Sequence, residues 1–444
     1  MAQSAKSSTE VLVLGAGPAA SLAAIRLARA GAHVHLIGRP DPRPRIEGAS
    51  PRVVALLRHE GLDTEAFGPP LRRRADWAGL PAAPNTEHPV DRQVLDRDLL
   101  ELARASGVRV TPAEIASVRG PVASTSAGEI RARHIVEARG RRAPSTERAQ
   151  RGPATIAIAG WVAGAGDRQA PGTALVATPL GWQWRVETGT GRRWVQICLD
   201  ASAAKYGAAA AWAVFHAQPG VTPQAFPAGA RARACELRLT APRLDPARLR
   251  VGDAAVAIDP LSGHGLFWAL SSALMAPPLL AAIDAGREDL ARRFHADRVT
   301  ETFWRQARIS RDFHALAAAV HGTAFWRVRA TWPDALPAHA ERTAPESARK
   351  VILRDGVLTE AEVLLTPQEP AGAAFVRGLP LAPVLDRFGT GPLPEAADFA
   401  AALPQFSPAE AGFLHAWLAS RGMPVAGPVP PFQPMETQPV ETQP

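Results

Sequence analysis

The hexapeptide Gly15-Ala16-Gly17-Pro18-Ala19-Ala20 has the spacing of a G-x-G-x-x-A turn. It follows the apolar run Val11 to Leu14 and opens the alanine-rich stretch Ser21 to Ala30, so it joins a strand to a helix. In that setting Gly15 permits the tight turn and Gly17 lets the backbone approach a pyrophosphate. Ala20 keeps the helix close to the strand, while the first helical amides and the dipole attract phosphate. The chemistry this spacing supports is dinucleotide binding. A carboxylate is expected ~20 residues on, at the end of the second strand, to hold the adenosine ribose hydroxyls. Gly38 and then Arg39 stand there instead. Arg39 can stack on adenine or meet a phosphate, and it can equally be a surface arginine beside Pro40.

A second constellation decides which dinucleotide. Val251-Gly252-Asp253-Ala254-Ala255 ends a buried run with a carboxylate, and Asp259-Pro260-Leu261-Ser262-Gly263-His264-Gly265-Leu266 forms a second glycine turn that opens a helix. A short acid at that point can accept hydrogen bonds from ribityl hydroxyls, which only a flavin has. The second helix N-terminus can then stabilise negative charge on the reduced ring. Asp253 can alternatively cap a turn. The two turns together specify FAD. His264 lies where the turn is expected to face the ring and can act there as acid, base or hydrogen-bond donor; satisfying a backbone group is its other reading. Trp182, Trp184, Phe267 and Trp268, with Glu47, can line an aromatic substrate pocket, although tryptophans on strands and buried helices also serve as core.

The elements that must position these residues read as follows. His33 to Ile37 is a second strand, Arg52 to Glu60 a helix, Asp96 to Ser106 another helix and Val108 to Val110 a strand, while Glu129 to Ala138 reads as a strand-pair edge entering a glycine turn. Between Thr155 and Leu239 strand-length runs repeat (Thr155–Val162, Ala174–Thr178, Trp182–Glu187, Trp194–Leu199, Ala234–Leu239), with Gly189-Thr190-Gly191 as a hairpin turn. A buried strand over Arg250 to Ile258 and a helix over Leu266 to Met275 return the chain to the first domain. Long helices are expected over Leu290 to Val320. Beyond Pro345, strand signals at Val351–Leu353, Val357–Leu358 and Glu362–Leu365 and helices within Ala373–Phe388 and over Pro408–Ser420 read as a small module. The fold class is α/β: a Rossmann-type nucleotide-binding domain (1–67, 90–152, 246–290) interleaved with a mainly antiparallel β-sheet substrate domain (68–89, 153–245). A helical segment (291–344), the C-terminal module (345–423) and a proline-rich tail expected to be disordered (424–444) follow.

Composition sets the outer bounds. The 444 residues, at 46% hydrophobic and 21% charged, describe a globular chain of two or three units. No window of 18 uninterrupted apolar residues occurs, so no membrane span is expected, and Val11 to Leu14 runs into a glycine turn rather than a cleavage site. A cytoplasmic location is the expectation. Cys198 and Cys235 are the only cysteines and form no metal-type pair, so neither a disulfide framework nor a metal site is expected. The net charge of +8 comes almost wholly from arginine, since Lys6, Lys205 and Lys350 are the only lysines. Without a basic stripe interleaved with aromatics, nucleic acid is not an expected partner.

These motifs resemble those of the flavoprotein monooxygenases of the p-hydroxybenzoate hydroxylase fold, over roughly residues 8 to 290. By that resemblance Asp253 meets the ribityl chain or phosphate, Pro260 and Gly263 to Leu266 lie against the isoalloxazine, and Arg92 in Val90-Asp91-Arg92-Gln93-Val94-Leu95-Asp96 stands near the pyrophosphate. Gly38, Arg39, Arg45, Ser50 and Gly140 complete the implied cofactor set. The Arg45-Ile46-Glu47-Gly48-Ala49-Ser50-Pro51 segment and Trp182-Gln183-Trp184 after Gly181 resemble the halogenase-like branch. Halogenation itself requires a lysine beyond the first turn, and none stands between Lys6 and Lys205. Within the branch the chain is most similar to the flavin monooxygenases of quinohemoprotein amine dehydrogenase maturation, which hydroxylate a tryptophan on the way to cysteine tryptophylquinone.

That resemblance implies an oxidoreductase using FAD, O2 and either NAD(P)H or a partner flavin reductase, which oxygenates an aromatic side chain of a partner polypeptide through a flavin hydroperoxide. One segment departs from the family: Glu137-Ala138-Arg139-Gly140-Arg141-Arg142 has Arg139-Gly140 where Asp-Gly or Thr-Gly is usual, which puts direct use of NAD(P)H in doubt. The competing readings are a flavin-dependent reductase or dehydrogenase of a small or lipid-like substrate, and a non-catalytic flavin-bound maturation chaperone.

Overall fold

The computed structural model describes residues 7–81, 85–146, 148–163, 170–189, 191–339 and 343–426. The tail beyond Ala426 and Thr190 of the expected hairpin turn lie outside the described residues. Two compact units divide the chain, Met1–Ala338 and His339–Pro444.

The first unit opens with β1 (Ser7–Leu14), α1 (Pro18–Arg29) and β2 (Val34–Ile37). Helix α1 buries Ala19 to Ile25 and Leu27 and turns Arg26 and Arg29 outward to the buried carboxylate of Glu60, at 3.6 and 3.4 Å. Next come β3 (Ile46–Ala49), α2 (Pro51–His59), β4 (Leu71–Trp77), β5 (Leu80–Pro81), β6 (Asn85–Asp91) and α3 (Arg92–Ala105). After β7 (Arg109–Thr111) a meander of β8 (Ile115–Arg119), β9 (Val122–Thr125) and β10 (Gly128–Glu137) returns the chain to the centre. The sheet runs β7-β2-β1-β10-β9-β8, parallel through β7, β2, β1 and β10. Glu129 to Ala138, expected at an edge, thus lies inside the sheet. Its even hydrophobic spacing could not reveal that β1 covers one side and β9 the other.

The chain then builds a second sheet. The elements are β11 (Gln150–Arg151), β12 (Thr155–Ala163), β13 (Gly172–Thr178), β14 (Gly181–Glu187), β15 (Arg192–Asp200), α4 (Ala208–His216), β16 (Arg233–Ala234) and β17 (Arg238–Leu239). Nine strands take the order β16-β12-β15-β14-β13-β4-β6-β3, with β5 on β4; all neighbours are antiparallel except β13 and β4. The single strand expected over Ala234–Leu239 is therefore two short ones in different sheets. Ile46–Ala49, expected within the nucleotide domain, pairs with β6 and ends this sheet.

The return to the first sheet is made by β18 (Arg248–Arg250), which pairs with the second half of β10. The strand expected over Arg250–Ile258 breaks there. Gly252, at φ 58°, turns the backbone, and β19 (Val256–Ala257) joins β17 instead. Two helices follow, α5 (Gly265–Ala273) and α6 (Ala276–Asp284), separated where Pro277 and Pro278 fill the first turn of α6. Both pack on α1, and the apolar stretch they form is largely buried inside the fold. α7 (Glu288–His321) is one 34-residue helix rather than several, and α8 (Ala324–Thr331) folds back against it.

The second unit has its own core. β20 (Glu346–Arg354) and β21 (Val357–Leu365) form a hairpin through Asp355-Gly356, both at positive φ as a tight primed turn requires. α9 (Ala382–Phe388), α10 (Ala396–Ala401) and α11 (Pro408–Ser420) surround Leu364, Leu381, Phe399, Leu414 and Leu418. Ser407 and Glu410 close a reciprocal capping box at the start of α11.

Candidate cofactor and active site

The carboxyl ends of β1, β2 and β10 and one face of the nine-stranded sheet enclose a cavity of about 1250 Å³. Ordinary small-molecule sites span roughly 300–1000 Å³, so there is room for a dinucleotide and more. Nine arginines and six carboxylates line it, a surplus of positive charge suited to an anionic ligand.

The first turn is built as its spacing predicts. Gly15 adopts φ 129°, and a side chain there would collide with the backbone of Ala138 on the neighbouring strand. Gly17 is different. Its φ of −95° is open to any residue, and a Cβ would meet no protein atom nearer than Arg92 Nη2 at 3.9 Å. Neither backbone nor packing requires glycine there, so the space in front of it is kept clear for a ligand. Behind it the amides of α1 have no side-chain cap and no acid in the first turn, which leaves them for phosphate. The second turn repeats the device. Asp259 accepts from the Leu261 amide at 2.9 Å, Gly263 is left-handed at φ 65°, and a Cβ on Gly265 would meet nothing within 4 Å. The uncapped N-terminus of α5 faces the same cavity through Gly265 and Leu266. These cradles, the arginines and the Asp253 carboxylate at the cavity wall together fit FAD.

Between the turns lies a charge cluster whose centre, Arg92 and Asp96, is buried and whose edge, Glu47 and Arg45, is partly exposed. Arg92, at the start of α3, donates to Glu47 Oε1 at 2.8 Å and to Asp96 Oδ1 at 2.9 Å; Arg45 Nε stands 2.9 Å from Glu47. Burial pushes the Glu47 carboxyl up, but Arg92 and Arg45 outweigh it and hold the group below the ordinary carboxylate range. Asp96 is held above that range, because burial exceeds what Arg92 returns. Asp253 is also pushed up by burial, with Arg141 Nε at 3.6 Å opposing. The departure at Arg139 has a local cause. Its guanidinium grips the fully buried Glu137 at 2.8 and 2.6 Å, neutralising a carboxylate at the end of β10.

The sheet supplies the opposite wall. Trp182 and Trp184 are 2% and 7% exposed and line the cavity beside Leu175, Ala157 and Gln196. Trp184 donates its indole N–H to Glu87 at 3.0 Å. Arg73 reaches the cavity from β4, 3.9 Å from where a Gly263 Cβ would stand.

Of the cofactor residues read from the sequence, Gly15, Gly17, Pro18, Ala19, Gly38, Arg39, Arg45, Arg92, Gly140, Asp253, Pro260, Gly263, Gly265 and Leu266 all border this cavity. Ala20 and Ser50 do not: Ala20 is fully buried in α1, and Ser50 precedes Pro51 as the N-cap of α2. Glu47, Trp182 and Trp184 border it, whereas Phe267 and Trp268 do not. Trp268 is core, its indole donating to the Gly252 carbonyl at 3.3 Å. His264 is exposed and stands outside the lining, with burial of its surroundings and Arg305, Arg73 and Arg52 holding its pKa below the usual value.

Sequence reading missed Arg73, Glu87, Asp96, Arg142 and Arg233 in the lining. Only Asp96 carried a local signal, its i,i+4 relation to Arg92 on one helix face. It also missed His314 on α7, which is 4% exposed and stands 3.6 Å from Asp259 at the root of the second turn.

No family model matches the chain. The solved structure of the "peptidyl tryptophan dihydroxylase QhpG essential for tryptophylquinone cofactor biogenesis" aligns over 94% of this chain and 100% of its own, with a TM-score of 0.75 and 33% identity. The flavin-dependent halogenase CmlS covers 94% of this chain and 92% of its own at a TM-score of 0.65; at 16% identity it shows the fold alone. The menaquinone reductase of Mycobacterium tuberculosis is 36% identical over 119 residues, 23% of this chain, and the chain spans 28% of that protein's length. With the fold, the two glycine cradles and a full-length relative in agreement, the chain belongs to the FAD-dependent monooxygenases of the p-hydroxybenzoate hydroxylase fold, related along its length to peptidyl tryptophan dihydroxylase and sharing the fold of the flavin-dependent halogenases.

Proposed function

We propose that this monooxygenase hydroxylates a tryptophan side chain of a partner polypeptide during tryptophylquinone cofactor biogenesis, with O2 as oxidant and NAD(P)H or a partner flavin reductase as electron donor. The observation that carries this reading is the 33% identity to peptidyl tryptophan dihydroxylase across the whole of that protein. FAD, when bound, supplies the activation of oxygen. The chain's own residues bind and orient. The uncapped amides of α1 take the pyrophosphate, Asp253 accepts from the ribityl hydroxyls, and the Gly263–Leu266 turn supports the ring. Trp182 and Trp184 give the reacting end an apolar wall that excludes water and offers edges and faces to an indole. The balance is one O2, one hydride equivalent and one proton consumed per hydroxyl formed, with the second oxygen leaving as water.

Aerobic incubation of the protein and a reductant with tryptophan-containing peptides of the candidate partner tests this. The expected product carries mass increments of about 16 Da per inserted oxygen on tryptophan, with label from 18O2. Reoxidation of the flavin with no oxygen on any peptide removes the proposal. A second reading, reduction of a lipid-like quinone, is favoured by the 119-residue match to menaquinone reductase. Turnover that persists without oxygen and yields a reduced quinone selects it.

A further inference from the structure

Dinucleotide-binding sheets of this type hold the adenosine ribose with a carboxylate at the end of the second strand. Here that position is Gly38, and it has no room for a side chain. A Cβ would stand 2.6 Å from the Gly15 carbonyl carbon and 2.9 Å from the Ala16 nitrogen, so an acid at position 38 would displace the turn that meets the pyrophosphate. The neighbouring strand offers the alternative. β7 pairs with β2 through Ile37 and Thr111, and the Gly38 amide donates to the Thr111 carbonyl at 3.3 Å, so the loop that follows β7 starts where β2 ends. Ala113 and Glu114 of that loop, with Ile115 at the start of β8, border the same cavity as Gly38 and Arg39.

The other cavity carboxylates are engaged elsewhere. Asp41 is gripped by Arg43 at 2.7 Å, Glu47 and Asp96 share Arg92, Glu87 accepts from Trp184, and Asp253 faces Arg141. The Glu114 backbone is fixed by a reciprocal pair of bonds with Ser126, at 3.0 Å to its hydroxyl and 2.9 Å from its amide. Its carboxylate is 80% exposed and, among the described residues, its ion-pair contact is the edge of Arg39, at 4.0 Å. Arg39 in turn is drawn back onto this loop by donating Nε to the Pro112 carbonyl at 3.2 Å.

We propose that Glu114, in the loop after β7, accepts the hydrogen bonds of the adenosine ribose hydroxyls of FAD in place of the absent acid at the end of β2. The inference rests on FAD occupying the cavity. A carboxylate on a rigid backbone beside the end of β2 supplies the same charge-assisted acceptor from the next strand over, and glycine at 38 is then free to pack against Gly15.

Equilibrium titration of the protein with FAD and with FMN, followed by flavin fluorescence, reads the contact directly, because FMN has no adenosine. Glu114→Gln and Glu114→Ala are both expected to weaken FAD about tenfold, the loss of one or two hydrogen bonds to a charged acceptor, and to leave FMN unchanged. The glutamine variant preserves shape and backbone bonds, so loss of folding does not confuse the result. FAD affinity within twofold of the parent, equal losses for both flavins, or tighter FAD binding once the negative charge is removed would each overturn the assignment. A parent protein that binds neither flavin would instead remove the cofactor site itself.

Discussion

Gly17 has an ordinary backbone angle and clear space where its side chain would be, so Gly17→Val should separate binding from folding. The N-cap preference costs about 1 kcal/mol, while the branched side chain fills the space in front of the first turn. Thermal melting should change by a few degrees, and FAD affinity, read by fluorescence quenching, should fall at least ~tenfold; retained affinity would show that no phosphate comes near. If Asp253 accepts from the ribityl hydroxyls as proposed, Asp253→Ala should purify without yellow colour, and full retention of flavin would remove that role. Arg92→Met has a different consequence. It leaves the buried Asp96 without its partner and Glu47 with Arg45 alone, and the lost stability should be about 3 kcal/mol by denaturant titration.

At the scale of elements, α11 offers the cleanest check. Ser407 accepts from the Glu410 amide and Glu410 returns a bond to the Ser407 amide, so Ser407→Ala should cost about 1 kcal/mol in the melting of the second unit. How much of these elements could be read beforehand follows from the range of the forces that form them. The β1–α1–β2 unit was legible because a buried run, two glycines and an alanine face are all local signals, and α11 was read to its residue boundaries for the same reason. The break at Gly252 was not, because the close packing that requires glycine there comes from Ala19, distant in sequence, whose Cβ would lie 2.8 Å from a side chain at 252. The sequence leaves Trp268 open between pocket and core, and the structure makes it core. On a helix nothing in the sequence distinguishes the face turned to the cavity from the face turned to Gly252. Arg73, Glu87 and His314 were invisible for a related reason: each meets its site from a strand or helix distant in sequence.

For the whole molecule, acidity is the simplest lever. Burial lowers the pKa of His295 and of His35 from 6.5 to about 4, with Arg109 adding to the effect at His35. The unfolded chain therefore binds more protons between pH 6.5 and 4, and stability is fully present above 6.5 and is lost as the pH falls through that window. For His295 alone the loss at pH 5 is about 2 kcal/mol. His295→Leu should flatten that part of the stability profile in denaturant melts at pH 7 and pH 5, and an unchanged slope would contradict it. Bound FAD should raise the melting temperature of the first unit with a logarithmic dependence on free flavin, as any ligand of the native state does.

The late return of β18 to the side of β10 also bears on how the protein is made. Translation delivers one lip of the pocket early and the other only after the intervening sheet has left the ribosome. A nascent polypeptide halted before Leu266 should therefore emerge uncoloured however much coenzyme surrounds it, and holoprotein formation becomes an event that closes synthesis of this unit rather than one that guides its beginning.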